Sequence, residues 1–223
     1  MKNEVPAPLV QVMDSESSEI YRVLFASLAR RADEREIKSI AFTSSVKGEG
    51  KTTTAVHLAT VAARDFGKRI LLIEGDLKNP QIQRRWPHPE GKGLYHVLAQ
   101  EDSFDSAVVI TDQDGLEVMP AGRLGKEQRD SASVLSFGFK KIVQEASGRY
   151  DYVFVDSPPI LPLVDMRIIA DAVAGVVMVI RAEGPPRSLI SKAVATIERE
   201  KIIGVVFNGA KSAWPGYIYG YSY

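Results

Sequence analysis

Residues 39–53 read SIAFTSSVKGEGKTT, and this stretch decides the fold. Its first five residues are typical of a short buried strand, and a helical pattern begins at about Lys51. The segment between them carries Gly48 and Gly50, which let the backbone curl so that several N–H groups point at one anion. A strand, a glycine loop and a helix in this order predict a phosphate-binding loop.

The side chains that follow the glycines favour a nucleotide as the bound anion. Lys51 is placed to reach the β- and γ-phosphates, and the Thr52 hydroxyl is placed to bind Mg²⁺. Ser45 stands where the general pattern has its first glycine, so an ordinary glycine turn before a helix is the alternative. The loop residues that we expect to contact the nucleotide are Val46, Lys47, Gly48, Glu49, Gly50, Lys51, Thr52 and Thr53.

Strands and helices alternate along the rest of the chain. Helical patterns begin at about residues 14, 51, 95, 133 and 186, and the first is predicted to bury Ile20, Val23, Leu24 and Leu28. Apolar runs at 39–43, 69–76, 116–120, 152–156, 175–180 and 203–208 indicate strands that are covered on both sides. This order predicts an α/β P-loop NTPase fold, with a parallel central sheet and helices on both faces in a single domain. Residues 1–16 are predicted to be a flexible leader, 17–210 the P-loop domain and 211–223 a tail.

The composition narrows the possible partners and location. The 28 acidic and 28 basic residues balance, which gives no electrostatic reason to expect a nucleic acid partner. Cysteine is absent, which excludes thiolate metal sites and cysteine-ligated iron–sulfur clusters and fits a reducing cytoplasm. No apolar run approaches the ~20 residues of a spanning helix, so we expect no direct membrane insertion.

Two aspartates follow buried strands at the same predicted sheet edge as the phosphate loop. Asp76 and Asp156 each end an apolar run, and the carboxyl ends of parallel strands converge on one edge. Mg²⁺ prefers oxygen ligands of this kind, whereas a capping role is the alternative for each aspartate. Asn208 ends the last strand, where its amide is expected to pair with a purine base or to cap a turn.

Four of the eight tyrosines, Tyr217, Tyr219, Tyr221 and Tyr223, lie in the last seven residues. Together with residues 48–52, 70–76 and 153–159, this cluster resembles the bacterial tyrosine kinases that accompany capsule and exopolysaccharide export. The resemblance runs from about residue 17 to the C-terminus. It implies an ATP-dependent protein-tyrosine autokinase in which Thr52, Asp76 and Asp156 support Mg²⁺, Lys51, Asp76 and Asp156 are catalytic, and the four tyrosines accept phosphate.

The resemblance also implies partners. It predicts a homo-oligomer and a transmembrane activator protein that holds the chain at the inner face of the plasma membrane. The negative charge that each phosphate adds to the tail predicts that phosphorylation dissociates the oligomer. Glu19 and Arg22 match the first two positions of the family's self-association motif, and Phe25 replaces arginine at the third. Glu74 and Lys78 likewise stand where the family motif has aspartate and, often, arginine.

Two other functions share this fold. A partner-gated ATPase that positions plasmids or division sites usually carries a second lysine before the loop glycines, and Lys47 comes one residue too late for that pattern. A catalytically weak, ATP-binding regulatory subunit of the export machine is the second alternative. For the tail, an aromatic edge strand or a docking segment is the alternative to phosphoacceptors.

Overall fold

The computed structural model describes residues 15–123, 131–161 and 164–210. The helices are α1 Ser15–Asp33, α2 Lys51–Phe66, α3 Leu94–Leu98, α4 Ser131–Arg149, α5 Asp165–Ala172 and α6 Arg187–Val194. The strands are β1 Ser39–Ser44, β2 Ile70–Glu74, β3 Val109–Ile110, β4 Leu116–Met119, β5 Tyr152–Asp156, β6 Gly175–Arg181 and β7 Ile202–Asn208. Short 3₁₀ turns occupy Ile82–Arg84, Asp105–Ala107 and Arg199–Lys201.

The seven strands form one sheet in the order β3-β4-β2-β5-β1-β6-β7. The six strands from β4 to β7 pair in parallel, which confirms the predicted arrangement. The two-residue β3 pairs antiparallel with β4 and adds an edge that the sequence did not predict. Because β2, β5 and β1 are neighbours in the middle of the sheet, their carboxyl ends meet at one place.

Helices cover both faces of the sheet and create two apolar layers. One layer packs α1 and α2 against the sheet through residues such as Phe25, Leu58 and Phe154. The other layer packs α3, α4, α5 and α6 against the opposite face, around residues such as Phe139 and Ile169. Strands buried on both faces explain why their sequences are continuous apolar runs.

The buried face of α1 agrees with the predicted one only in part, since Leu24 and Leu28 pack in the core. Ile20 and Val23 are 53% and 54% exposed, whereas Phe25 is 1% exposed. The ring of Phe25 packs with its centroid 4.7 Å from that of Phe66 and 5.8 Å from that of Tyr152. Burying this large ring turns the helix so that Ile20 and Val23 face outwards, because an aromatic side chain removes more apolar area from water.

None of the helices in the described part of the chain is both long and apolar enough to span a bilayer.

An ion-pair cluster joins α1 to the end of α2. The Asp65 carboxylate accepts hydrogen bonds from Arg64 at 2.7 Å and from Arg22 at 2.8 Å. Hydrogen bonds from these two arginines lower the pKa of Asp65 from 3.8 to about 2. The folded state therefore binds a proton at this carboxylate less readily than the unfolded state does.

We expect Asp65→Asn to lower the free energy of unfolding by about 0.5 kcal/mol at pH 7, the scale of solvent-screened surface pairs. A lowered pKa stabilises the fold above the unfolded value and loses that effect as the pH falls towards the folded value. The difference between wild type and variant should therefore shrink between about pH 4 and pH 2. Urea unfolding at several pH values measures it, with the exposed Asp112→Asn as control. A difference that is constant with pH would contradict this origin.

Gly93 packs where the start of α3 meets the chain after β4. A Cβ at this position would lie 2.3 Å from the Pro120 carbonyl oxygen and 2.4 Å from the Gly122 nitrogen. We expect Gly93→Ala to destabilise the fold by about 1–3 kcal/mol, the usual cost of overpacking against backbone. Gly148→Ala is the matched control, since a Cβ there meets nothing within 4 Å. Equal urea midpoints for the two variants would show that this contact has no energetic weight.

Candidate active site

The phosphate loop lies between β1 and α2, at the carboxyl edge of the sheet. Gly48 and Gly50 have φ values of 88° and 95°, in the left-handed region that side chains disfavour. A Cβ on Gly50 would also lie 2.1 Å from Nδ2 of Asn208. The loop thus takes the backbone conformation that its glycines predict, and α2 begins immediately after it at Lys51.

Hydrogen bonds to Glu49 stabilise the conformation of this loop. Its Oε1 accepts a hydrogen bond from the Val46 N–H at 2.8 Å, and its Oε2 accepts one from the Arg181 N–H at 3.1 Å. Its carbonyl oxygen accepts a third from Nδ2 of Asn208 at 2.9 Å. One buried residue therefore links the loop to the ends of β6 and β7. The sequence placed Glu49 among the nucleotide contacts without revealing these bonds.

Asn208 lies next to the loop, as its position at the end of β7 predicts. Its amide donates to the loop backbone, so it anchors the phosphate loop. Contact with a purine base stays a prediction.

The ammonium group of Lys51 is buried between two carboxylates. Its Nζ lies 3.4 Å from Oδ2 of Asp76 and 3.8 Å from Oδ1 of Asp156, and it also donates to the Thr52 hydroxyl at 3.4 Å. These four residues are at most 8% exposed. The structure thus brings together the lysine, the hydroxyl and both aspartates that the sequence singled out.

One oxygen of the buried Asp156 carboxyl is not satisfied by the described residues. Burial raises its pKa to about 6, although the nearby Lys51 ammonium acts to lower it. Among the described residues nothing donates a hydrogen bond to its buried Oδ1. An unsatisfied buried oxygen beside a second carboxylate and a threonine hydroxyl matches the hard oxygen donors that Mg²⁺ prefers. The residues present therefore fit a magnesium ion held by Thr52, Asp76 and Asp156.

Hydrogen bonds fix the chain where it leaves β5 after Asp156. The Ser157 hydroxyl donates to the Phe42 carbonyl at 2.7 Å, and the Thr43 hydroxyl donates to the Pro158 carbonyl at 2.8 Å. Both bonds join the segment after β5 to β1, which leads into the phosphate loop. They fix the position of Asp156 relative to the phosphate loop.

Glu74 is a buried acidic residue whose role the sequence did not reveal. Its carboxylate accepts hydrogen bonds from the backbone of two separate segments, including the Gln83 N–H at 3.0 Å and the Ala121 N–H at 3.3 Å. Burial raises the pKa of Glu74 to about 7, and these N–H donors act in the opposite direction. The sequence signal for this role was an acidic residue in an otherwise apolar strand, since a buried carboxylate needs several hydrogen-bond donors.

The remaining predicted residues lie elsewhere. Glu19 and Arg22 pair with each other on α1 at 2.9 Å, and Arg22 also pairs with Asp65. Asp65 is near the last residue of α2, whereas the phosphate loop is at the first, so the length of that helix separates the two places. Phe25 is buried in the core and therefore offers no surface contact. The four tail tyrosines lie outside the described residues.

Comparisons with known proteins identify the family of this chain. A protein-family profile described as an AAA domain matches residues 37–199. Tyrosine-protein kinase YwqD of Bacillus subtilis is 34% identical over 198 residues, which cover 87% of this chain and 82% of YwqD. The succinoglycan biosynthesis transport protein ExoP of Rhizobium meliloti is 27% identical over 78% of this chain, which matches 22% of ExoP.

A solved structure shows the same architecture. The kinase domain of the Escherichia coli tyrosine kinase ETK superposes with a TM-score of 0.81 at 25% identity, covering 92% of this chain and 80% of that domain. By sequence and by fold, the chain belongs to the bacterial tyrosine-protein kinases built on a P-loop domain.

Proposed function

We propose that this chain is an ATP-dependent autokinase that phosphorylates its own C-terminal tyrosines and so regulates exopolysaccharide or capsule polymerisation and export. One observation carries the proposal: the buried Lys51 ammonium, 3.4 Å from Asp76 and 3.8 Å from Asp156, at the mouth of the phosphate loop. A buried cation shared by two carboxylates is poised to exchange them for the phosphates of ATP. Membership of the tyrosine kinases supports tyrosine as the acceptor.

The chain's own residues provide most of what phosphoryl transfer needs. The loop N–H groups and the start of α2 bind the phosphates, and Lys51 neutralises the charge that develops on them. Magnesium, held by Thr52, Asp76 and Asp156, would supply further neutralisation and orient the phosphates. The acceptor phenol oxygen bonds to the γ-phosphorus, the bond from that phosphorus to the β–γ bridging oxygen breaks, and ADP leaves.

Asp76 contacts the magnesium ion or helps to remove the proton that the phenol loses. A phenol has a pKa near 10 and is a weak nucleophile until that proton is removed. Asp76 lies beside Lys51 with both oxygens engaged, Oδ2 by the lysine and Oδ1 by the Asn79 N–H at 3.2 Å. When Lys51 turns to the phosphates, Oδ2 is the oxygen that becomes available.

Tyr217, Tyr219, Tyr221 and Tyr223 are the proposed acceptors. Because β7 ends at Asn208, which donates to the phosphate loop, the last described strand ends on the side of the active site. Tyr217 is nine positions after Asn208, which allows at most about 30 Å at ~3.3 Å per residue. This length suits a site on the same copy or on a neighbouring one.

The proposed setting is the cytoplasmic face of the plasma membrane, reached through a transmembrane activator protein of the export system. A relative named for succinoglycan transport supports the link to polysaccharide export. The exposed Ile20 and Val23 flank Arg22 on α1 and support this helix as the self-association surface.

Incubation with ATP and Mg²⁺ should place phosphate on residues 217–223, as read by mass spectrometry. We expect Lys51→Met to lower the rate at least about 100-fold, since it removes charge stabilisation from the transferred phosphoryl group. Lys140→Met, an exposed lysine on α4, is the matched control. Nucleotide binding without tail labelling, even with an activator fragment present, would favour the regulatory subunit. Hydrolysis stimulated by DNA or lipid would favour the partner-gated ATPase.

Phosphorylation should also change the oligomeric state of the protein in solution. Each phosphate adds nearly two negative charges, which repel one another where copies meet. We expect light scattering to show an oligomer before incubation with ATP and smaller species afterwards, and Arg22→Glu to weaken the oligomer without phosphorylation. The chain truncated after Pro215 is the control, because its oligomeric state should not change on incubation with ATP. Identical mass distributions for the phosphorylated and unphosphorylated protein would exclude this regulation.

A further inference from the structure

Glu74 is 0% exposed and sits at the carboxyl end of β2. Its Oε1 accepts hydrogen bonds from the backbone N–H groups of Gln81 and Ile82, the second at 2.5 Å. Its Oε2 accepts hydrogen bonds from Gln83 at 3.0 Å and Ala121 at 3.3 Å. Each carboxylate oxygen therefore binds two N–H donors, which fills the lone-pair positions that a carboxylate offers.

The four donors belong to two segments, which follow the adjacent strands β2 and β4. Three lie in the 3₁₀ turn region that follows β2, and Ala121 lies just after β4. The chain after β4 in turn accepts hydrogen bonds from the start of α3, at Pro120 from Leu94 and at Ala121 from Tyr95. One carboxylate thus joins the connections that leave two adjacent parallel strands.

The first of these segments begins at Asp76, and charged residues hold it at three points. Asp76 itself accepts the Asn79 N–H, and Glu74 accepts the N–H groups of residues 81–83. Lys78 Nζ lies 2.9 Å from Oδ2 of Asp165, at the start of α5. Glu74, Asp76 and Lys78 occupy every second position of the chain. Of these three residues, only Asp76 pairs with Lys51.

We propose that Glu74 is a positioning residue, which fixes the segment that carries Asp76 and joins it to the chain after β4 as one rigid wall of the active site. The inference rests on the proposed kinase function and adds a residue to it. Glu74 acts through Asp76, since its own oxygens are already occupied by backbone donors.

The same geometry explains two departures from the family pattern. Glutamate is one methylene longer than aspartate, and this length carries the carboxylate to N–H groups seven to nine residues ahead in the chain. At position 78, lysine replaces arginine. The ion pair with Asp165 requires a positive charge and not the bidentate geometry of a guanidinium group, so lysine is sufficient. The departures at Glu74 and Lys78 are thus compatible with an active enzyme.

The test compares Glu74→Gln and Glu74→Asp with Glu90→Gln, an exposed carboxylate farther along the connection between β2 and α3. Glutamine offers one acceptor oxygen and turns an NH₂ group towards N–H donors, while aspartate keeps the charge but falls short. Three quantities are measured: residue-resolved amide exchange by NMR, the affinity for ADP with and without Mg²⁺, and the kcat and KM of tail phosphorylation.

For Glu74→Gln we expect amide exchange at residues 81–83 and 121 to become at least ~10-fold faster. We expect kcat to fall about 10- to 100-fold, the usual effect of losing a group that orients an active-site ligand. ADP affinity without Mg²⁺ should stay within about threefold, whereas the gain in affinity that Mg²⁺ confers should fall, because Asp76 is displaced. Glu74→Asp should recover part of both protection and kcat, and Glu90→Gln should match wild type.

Loss of kcat with unchanged exchange at residues 81–83 and 121, in either Glu74 variant, would overturn the proposal and assign Glu74 a direct chemical role. Faster exchange with full activity would overturn it as well. If Glu74→Gln does not fold, Glu74→Asp carries the same comparison. A wild-type protein that transfers no phosphate contradicts the kinase function instead, and the exchange and Mg²⁺-dependence readouts still decide the role of Glu74.

Discussion

A buried ammonium group between two buried carboxylates is the interaction on which this structure depends. Lys51 comes from the first turn of α2, Asp76 from the connection after β2, and Asp156 from the end of β5. Removing such charges from water is costly unless each finds a partner, so the three segments are held to a common geometry. One positive and two negative charges leave a negative excess, which a divalent cation would balance once Lys51 turns to phosphate.

The sheet supplies the rigidity for this arrangement. β2, β5 and β1 are consecutive in the sheet, and Glu74, Asp156 and Phe42 occupy facing positions in the register. The N–H of Gly75 donates to the Asp156 carbonyl at 2.8 Å, which extends the pairing beyond β2 to the residue before Asp76. Backbone pairing therefore sets the distance between the two aspartates, and side-chain bonds from Glu49 and Glu74 hold the loops on either side.

Most of the architecture and the centre of the site could be predicted from sequence, because the signals are local. Strands buried on both faces must be apolar, a loop around phosphate needs glycines, and aspartates at strand ends have few structural reasons to exist there. These constraints located Lys51, Thr52, Asp76 and Asp156 correctly beside one another. In the described part of the chain, every helix and strand except α5 and β3 followed from the same periodicity.

The rest depended on contacts between distant residues, which periodicity does not encode. Which face of α1 is buried was decided by the fit of Phe25 against Phe66 and Tyr152. The two-residue β3 is too short to leave a pattern, and it exists through its pairing with β4. The side chains of Glu49 and Glu74 accept hydrogen bonds from backbone N–H groups far away in the sequence, 132 residues in the case of Glu49 and Arg181. Their roles therefore become visible only in the fold.

A crystal structure with Mg²⁺ and a non-hydrolysable ATP analogue would test this account of the site. We expect Lys51 Nζ to leave Asp76 and Asp156 and to lie within hydrogen-bonding distance of the β- and γ-phosphates. Magnesium should bind the Thr52 hydroxyl at about 2.0–2.1 Å, with both aspartates as direct or water-linked ligands. Lys51 still paired with the two aspartates beside a bound nucleotide, with no cation at Thr52, would contradict the account.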